Sequence, residues 1–95
     1  MHENDEFSFF IGDLIPTLVR EKLHRLLGQH FSPTQDGEWG RDYYCPSGRE
    51  SGVRALEEFK QALLRESGVA LRFDIEPPIS RGEYYTVTNV IIELK

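Results

Sequence analysis

The sequence predicts a small two-layer α+β domain: two amphipathic helices packed on a two- to three-stranded, mainly antiparallel sheet, in the order β-α-α-β-β. Three observations carry that expectation. Two stretches place apolar residues at helical spacing, the C-terminal third alternates apolar with polar residues, and 95 residues suffice for one domain.

The first element is a short strand. Phe7, Phe9 and Ile11 alternate with Ser8 and Phe10 up to Gly12, while residues 1–5 form an acidic, polar tail expected to be mobile. Asp13 offers an N-cap carboxylate, and Pro16 suits a first helical turn because its missing N–H has no partner there. From Ile15 the apolar residues Leu18, Val19, Leu23, Leu26, Leu27 and Phe31 draw one stripe down a helix. Glu21 and Arg25 stand at i,i+4 on its wet side.

The second helix starts at a capping box of Ser47 and Glu50, or at Ser51 as an alternative N-cap. Val53, Leu56, Phe59 and Leu63 form its apolar face, Glu57 and Lys60 pair outside, and Gly68 supplies the left-handed stop. Leu71, Phe73 and Ile75 then alternate with Arg72, Asp74 and Glu76 as a strand with one wet face. Pro77, Pro78 and Gly82 turn the chain into a last strand over residues 83–94, giving an antiparallel hairpin. That strand is apolar on both faces, so it is either central or bulged near Asn89. Placing the first strand beside the last would explain the two-sided pattern.

Between the helices lies a connector, residues 31–48, which holds the only Trp and the only Cys together with the adjacent Tyr43 and Tyr44. Pro33, Gly37, Gly40, Pro46 and Gly48 argue against regular structure through most of it, and so long a connector in so small a domain usually has a purpose. Trp39, Tyr43 and Tyr44 are residue types that anchor binding surfaces, and Asp36, Glu38 and Asp42 interleave them with negative charge. An exposed loop of this kind selects a partner bearing Lys or Arg. Folded inward, the same aromatics would close the open end of the helix pair as a second small core.

A net charge of −5 at pH 7 argues against non-specific attraction to nucleic acid or anionic lipid. The one basic stripe, Arg20, Lys22 and Arg25, reads first as a solvated helix face. A lone Cys allows no internal disulfide, which points to a reducing, cytoplasmic setting, and the polar start lacks the pattern of a signal peptide. No apolar run is long enough to span a bilayer.

The sequence nominates no catalytic constellation, cofactor motif or metal site. His24 and His30, six residues apart, are turned about 240° around the axis of one helix and so point about 120° apart. Gly37 and Gly40 lack the spacing and Lys of a phosphate loop. Glu57 with Glu58, and Asp74 with Glu76, alternate with buried positions as solvated faces do. The expectation is therefore a non-enzymatic protein-binding module, such as a small inhibitor, adaptor or immunity-type protein, that presents the aromatic-acidic loop to a basic partner. A second copy of the chain is a further candidate partner. One alternative is a small enzyme or ligand-binding subunit with a pocket between loop and sheet, in which Cys45 and a histidine such as His30 act as nucleophile and base. Another is a nucleic-acid-associated protein using Arg20, Lys22 and Arg25.

Overall fold

The computed structural model describes residues 4–34, 43–47, 52–81 and 85–95. Its elements in chain order are β1 (Asn4–Ile11), α1 (Thr17–His30), β2 (Phe31–Pro33), β3 (Tyr43–Pro46), α2 (Gly52–Ser67), β4 (Leu71–Ile75), β5 (Ile79–Arg81) and β6 (Tyr85–Leu94). The fold is α+β with two helices on one sheet. The sheet is larger than the sequence suggests, with six strands in the order β2-β3-β1-β6-β4 and β5 pairing β6 beside β4.

It is also mixed. β1 runs parallel to β6 from Asn4 opposite Tyr85 to Ile11 opposite Ile92, and the pairs β1 with β3, β2 with β3, β4 with β6 and β5 with β6 are antiparallel. The first strand therefore does lie beside the last. Pairing continues unbroken past Asn89, opposite Ser8, so β6 is apolar on both faces because it is central rather than bulged. The residues overlooked in sequence are β2 and β3, within the supposed loop, and β5, within the supposed turn. Each is three or four residues long and two of the three contain Pro, too little chain for an alternation to show.

Two crossovers organise the molecule. β1-α1-β2 joins parallel strands across β3, and β3-α2-β4 joins parallel strands across β1 and β6. β1 and β3 run oppositely and their crossovers travel in opposite directions across the sheet. A shared handedness therefore brings both helices to the same face. There Val19, Leu23, Leu26 and Leu27 of α1 and Leu56, Phe59 and Leu63 of α2 close over Phe7, Phe31, Leu71, Val90 and Ile92. Each such side chain removed from water contributes about 1.5–3 kcal/mol.

The helix stripes are narrower than periodicity suggests. Leu18 is 73% exposed and Val53 79% exposed, because at 3.6 residues per turn each is rotated about 100° or more away from the middle of the buried stripe of its helix, although Val19 and Gly52 beside them are buried. Asp13 does not cap α1; Pro16 occupies the N-cap position without any side-chain bond. The entry is held instead by Arg20, which donates from Nε to the Ile15 carbonyl at 3.1 Å and from its terminal nitrogen to the Gly12 carbonyl, with Asp13 3.9 Å away. At the far end of α2, Gly68 takes φ +70°, the expected left-handed stop. The start of α2 is Gly52; Glu50 and Ser51 of the expected caps lie outside the described residues.

Surface ion pairs also differ from the helical pairs read in sequence. Arg25 meets Glu66 of α2 at 2.7 Å, and Arg54 meets Glu58 at 3.4 Å. Gln61 donates to Glu57 at 3.0 Å, while the Lys60 ammonium lies 5.8 Å from the centre of the Phe73 ring. Once two helices pack, a long side chain finds partners on the neighbouring element as readily as along its own.

Candidate functional site

β2 and β3 convert the long connector into a hairpin. Phe31, Ser32 and Pro33 face Pro46, Cys45 and Tyr44, and one residue further the Thr34 N–H donates to the Tyr43 carbonyl at 2.8 Å. The Ser47 N–H donates to the His30 carbonyl at 2.9 Å and closes the other end. Residues 35–42 therefore connect Thr34, after β2, to Tyr43, the first residue of the paired strand β3, rather than bridging the helices. Asp36, Glu38, Trp39 and Asp42 belong to that connection and lie outside the described residues.

Of the six residues nominated from sequence, the structure describes Tyr43 and Tyr44, and it sends them to opposite faces. Tyr44, opposite Phe7, turns toward the helices and meets the Phe9 ring edge-on at 5.6 Å. Tyr43, opposite Ser8, turns to the face without helices; it is 5% exposed and lies outside the main core cluster. Adjacent tyrosines in a strand must diverge in this way, since the side-chain period is two. The two rings accordingly fix the base of the connection from both sides of the sheet.

A polar row crosses the helix-free face at this base. Tyr43 is opposite Ser8, and Ser8 is opposite Asn89 of β6. Ser8 is 2% exposed, and the Asn89 Oδ1 and Thr34 Oγ1 atoms are buried with no hydrogen-bond partner. Orphaned buried polar atoms are rare in native folds. Both belong to the row on which the aromatic-acidic connection begins and ends. Sequence reading missed Thr34, Ser8 and Asn89 as a group, because their juxtaposition depends on the order of three strands from distant parts of the chain.

The other nominated residues do not assemble. Cys45 is half-buried in the middle of β3, where alternation with Tyr44 points it away from the helices, whereas the His30 ring lies on the helix side, 6.3 Å from the Phe59 ring centre. The sheet separates this thiol from this imidazole. Arg20 is turned back on the α1 entry, Lys22 donates to the Glu66 carbonyl at 3.0 Å near the end of α2, and Arg25 is paired with the Glu66 carboxylate. Lys22 and Arg25 thus tie α1 to the C-terminal turn of α2, where cations complement the last carbonyls.

On the outer side of the helix pair, Leu26, Gln29, His30, Glu57, Gln61 and Arg65 help to line a shallow groove of about 420 Å³. The Glu57, Glu58 and Glu66 carboxylates along it are already held by Gln61, Arg54 and Arg25. Among the described residues no group of His, Cys, Asp and Glu is placed to hold a metal ion, and no helix is long and apolar enough to cross a membrane. No protein-family model, curated protein or solved structure matches the chain.

Proposed function

We propose that the chain is a non-enzymatic protein-binding module, of the small inhibitor, adaptor or immunity type, that engages a basic partner surface through the β2–β3 hairpin connection. The observation that carries this reading is the hydrogen bond from the Thr34 N–H to the Tyr43 carbonyl. It closes a loop whose two ends, Thr34 and Tyr43, are paired at the sheet, with Tyr43 and the adjacent Tyr44 packed on opposite faces at one of them, the arrangement in which loops carry recognition. Residues 35–42 contain Trp39 and the carboxylates of Asp36, Glu38 and Asp42 against the single cation of Arg41. Trp is a preferred anchor, and a negative rim speeds encounter with a positive partner and rejects negative ones.

The test pairs two variants. Trp39→Ala is expected to weaken partner capture at least tenfold while the melting temperature stays within about 2 °C of wild type. The triple change Asp36→Asn, Glu38→Gln, Asp42→Asn is expected to slow association and to flatten its salt dependence. A Trp39→Ala variant that melts much earlier yet binds as well as wild type would place the indole in the core and refute the proposal.

A further inference from the structure

We infer that the outer edge of β4 is a self-association surface, and that two copies of the chain join there, antiparallel, with Phe73 opposite Phe73 of the second copy. The Glu76 N–H donates to the Asn89 carbonyl at 3.0 Å, and the Lys95 N–H donates to the Ala70 carbonyl at 3.0 Å. In an antiparallel ladder hydrogen-bonded pairs recur every second residue, so Arg72 and Asp74 also direct their backbone groups toward β6. Leu71, Phe73 and Ile75 therefore direct their N–H and C=O groups away from the sheet. β4 ends the strand order, so among the described residues this is an open edge with three donors and three acceptors in register.

The opposite edge is closed to such pairing. In β2 the Phe31 N–H is consumed by the Leu27 carbonyl as the cap of α1, the Ser32 backbone faces Cys45, and Pro33 has no N–H. It offers no donor at all. Natural sheets commonly protect an edge with Pro and short length; β2 has three residues and ends in Pro33, whereas β4 has five and no Pro within them.

The side chains of β4 are self-complementary in one register. With the two-fold axis at Phe73, Leu71 faces Ile75 of the second copy and Arg72 faces Asp74 of the second copy, each contact occurring twice. Arg72, whose guanidinium already meets the Glu93 carboxylate of its own chain, and Asp74 then form non-hydrogen-bonded pairs, the closer of the two pair types, so that the five-donor guanidinium can bridge both carboxylates. Centring on Arg72 or Asp74 instead would set like charges face to face. The apolar material flanking the edge fits the same occupant. Ile75 is 44% and Leu94 39% exposed, Phe73 is half-buried, and Leu64 stands one helical turn from Lys60, whose ammonium lies over the Phe73 ring.

The experiment is sedimentation equilibrium on the full chain, with amide exchange read in parallel. Wild type is expected to show a concentration-dependent dimer. Asp74→Arg puts Arg opposite Arg twice; at about fivefold per contact the dissociation constant rises about twenty-five-fold. Arg72→Asp alone weakens it likewise, but mixing the two variants restores complementarity and yields heterodimer. In wild type the amides of Leu71, Phe73 and Ile75 gain protection as concentration rises, while those of Arg72 and Asp74, bonded to β6 in either state, do not change. A chain that stays monomeric to about millimolar concentration, a dimer indifferent to both charge reversals, or Phe73 exchange independent of concentration would overturn the inference. The amide measurement uses unaltered protein, so it decides even where a variant misfolds.

Discussion

Phe31→Ala should be among the most damaging single changes in this protein, although in sequence Phe31 opens what reads as a loop. Its side chain is fully buried, and its ring meets those of Phe7 at 5.4 Å, Phe9 at 5.2 Å and Phe59 at 6.0 Å, all edge-on. Truncating a buried Phe destabilises by about 3–5 kcal/mol, and each edge-to-face partner contributes about 0.5–1.5 kcal/mol beyond burial. The surrounding rings belong to β1 and α2 and cannot all collapse into the gap, so a value near the upper part of the range, about 4–5 kcal/mol, is expected. A domain of this size has roughly 5–14 kcal/mol in total, so the loss is about 30% or more of its stability. Equilibrium urea unfolding is the assay: with a slope of about 2 kcal/mol/M the midpoint should fall by about 2 M and the slope stay unchanged. Phe31→Leu, which keeps most of the volume, should lose about 1–2 kcal/mol. A Phe31→Ala loss below about 1.5 kcal/mol would mean that β2 is not packed as described, and the anchoring of the hairpin would fall with it.

Leu18→Ala and Val53→Ala should each change unfolding free energy by less than about 0.5 kcal/mol, in contrast to Leu23→Ala at about 2–5 kcal/mol; a large effect at Leu18 or Val53 would return them to the core. Gly68→Ala should destabilise by about 1 kcal/mol in the same assay, because φ is +70° and no atom within 4 Å would meet the added methyl, so backbone strain acts alone. Thr34→Val removes a buried hydroxyl that has no partner and should be neutral or stabilising by up to about 1 kcal/mol; a loss above 1 kcal/mol would show that the hydroxyl is bonded in solution.

What could be read from sequence was what repeats within one element. The α1 stripe through Val19, Leu23 and Leu26, the alternation of Leu71, Phe73 and Ile75, and the Gly68 stop each follow from a local period or a single backbone angle. The two-sided apolar character of β6 was also legible, since only a central strand buries both faces. What was not legible depends on distance in the chain. β2 owes its existence to β3, and β3 owes its place to β1; neither has enough residues to announce itself. Asp13 misled because an acidic side chain before a helix is a good cap only where the backbone lets it turn back, and here Arg20 holds the entry instead. At the candidate site, composition marked residues 35–42, but the divergence of Tyr43 from Tyr44 and the row of Thr34, Tyr43, Ser8 and Asn89 required the register of the sheet.

The two inferred surfaces stand at opposite edges of that sheet, and this has a consequence for affinity. With the strand order β2-β3-β1-β6-β4, joining two copies through β4 places their β2–β3 hairpins at the two ends of one ten-stranded path. Nine spacings of about 4.8 Å set those ends about 43 Å apart, less where the sheet twists. Because the axis at Phe73 is perpendicular to the sheet, both hairpins lie in the same relation to the helix-free face, and a partner that is itself two-fold or carries repeated basic sites meets two loops at once. The second contact is then intramolecular and raises avidity by a factor of 10² or more without any new interaction. Asp74→Arg leaves Trp39 and its carboxylates untouched, so it should reduce capture of a divalent partner to that of a single loop while leaving a monovalent fragment of the same partner bound as before. Trp39→Ala should weaken both equally. If Asp74→Arg also weakened the monovalent fragment, the β4 edge would itself contact the partner, and the separation of the two surfaces would be wrong.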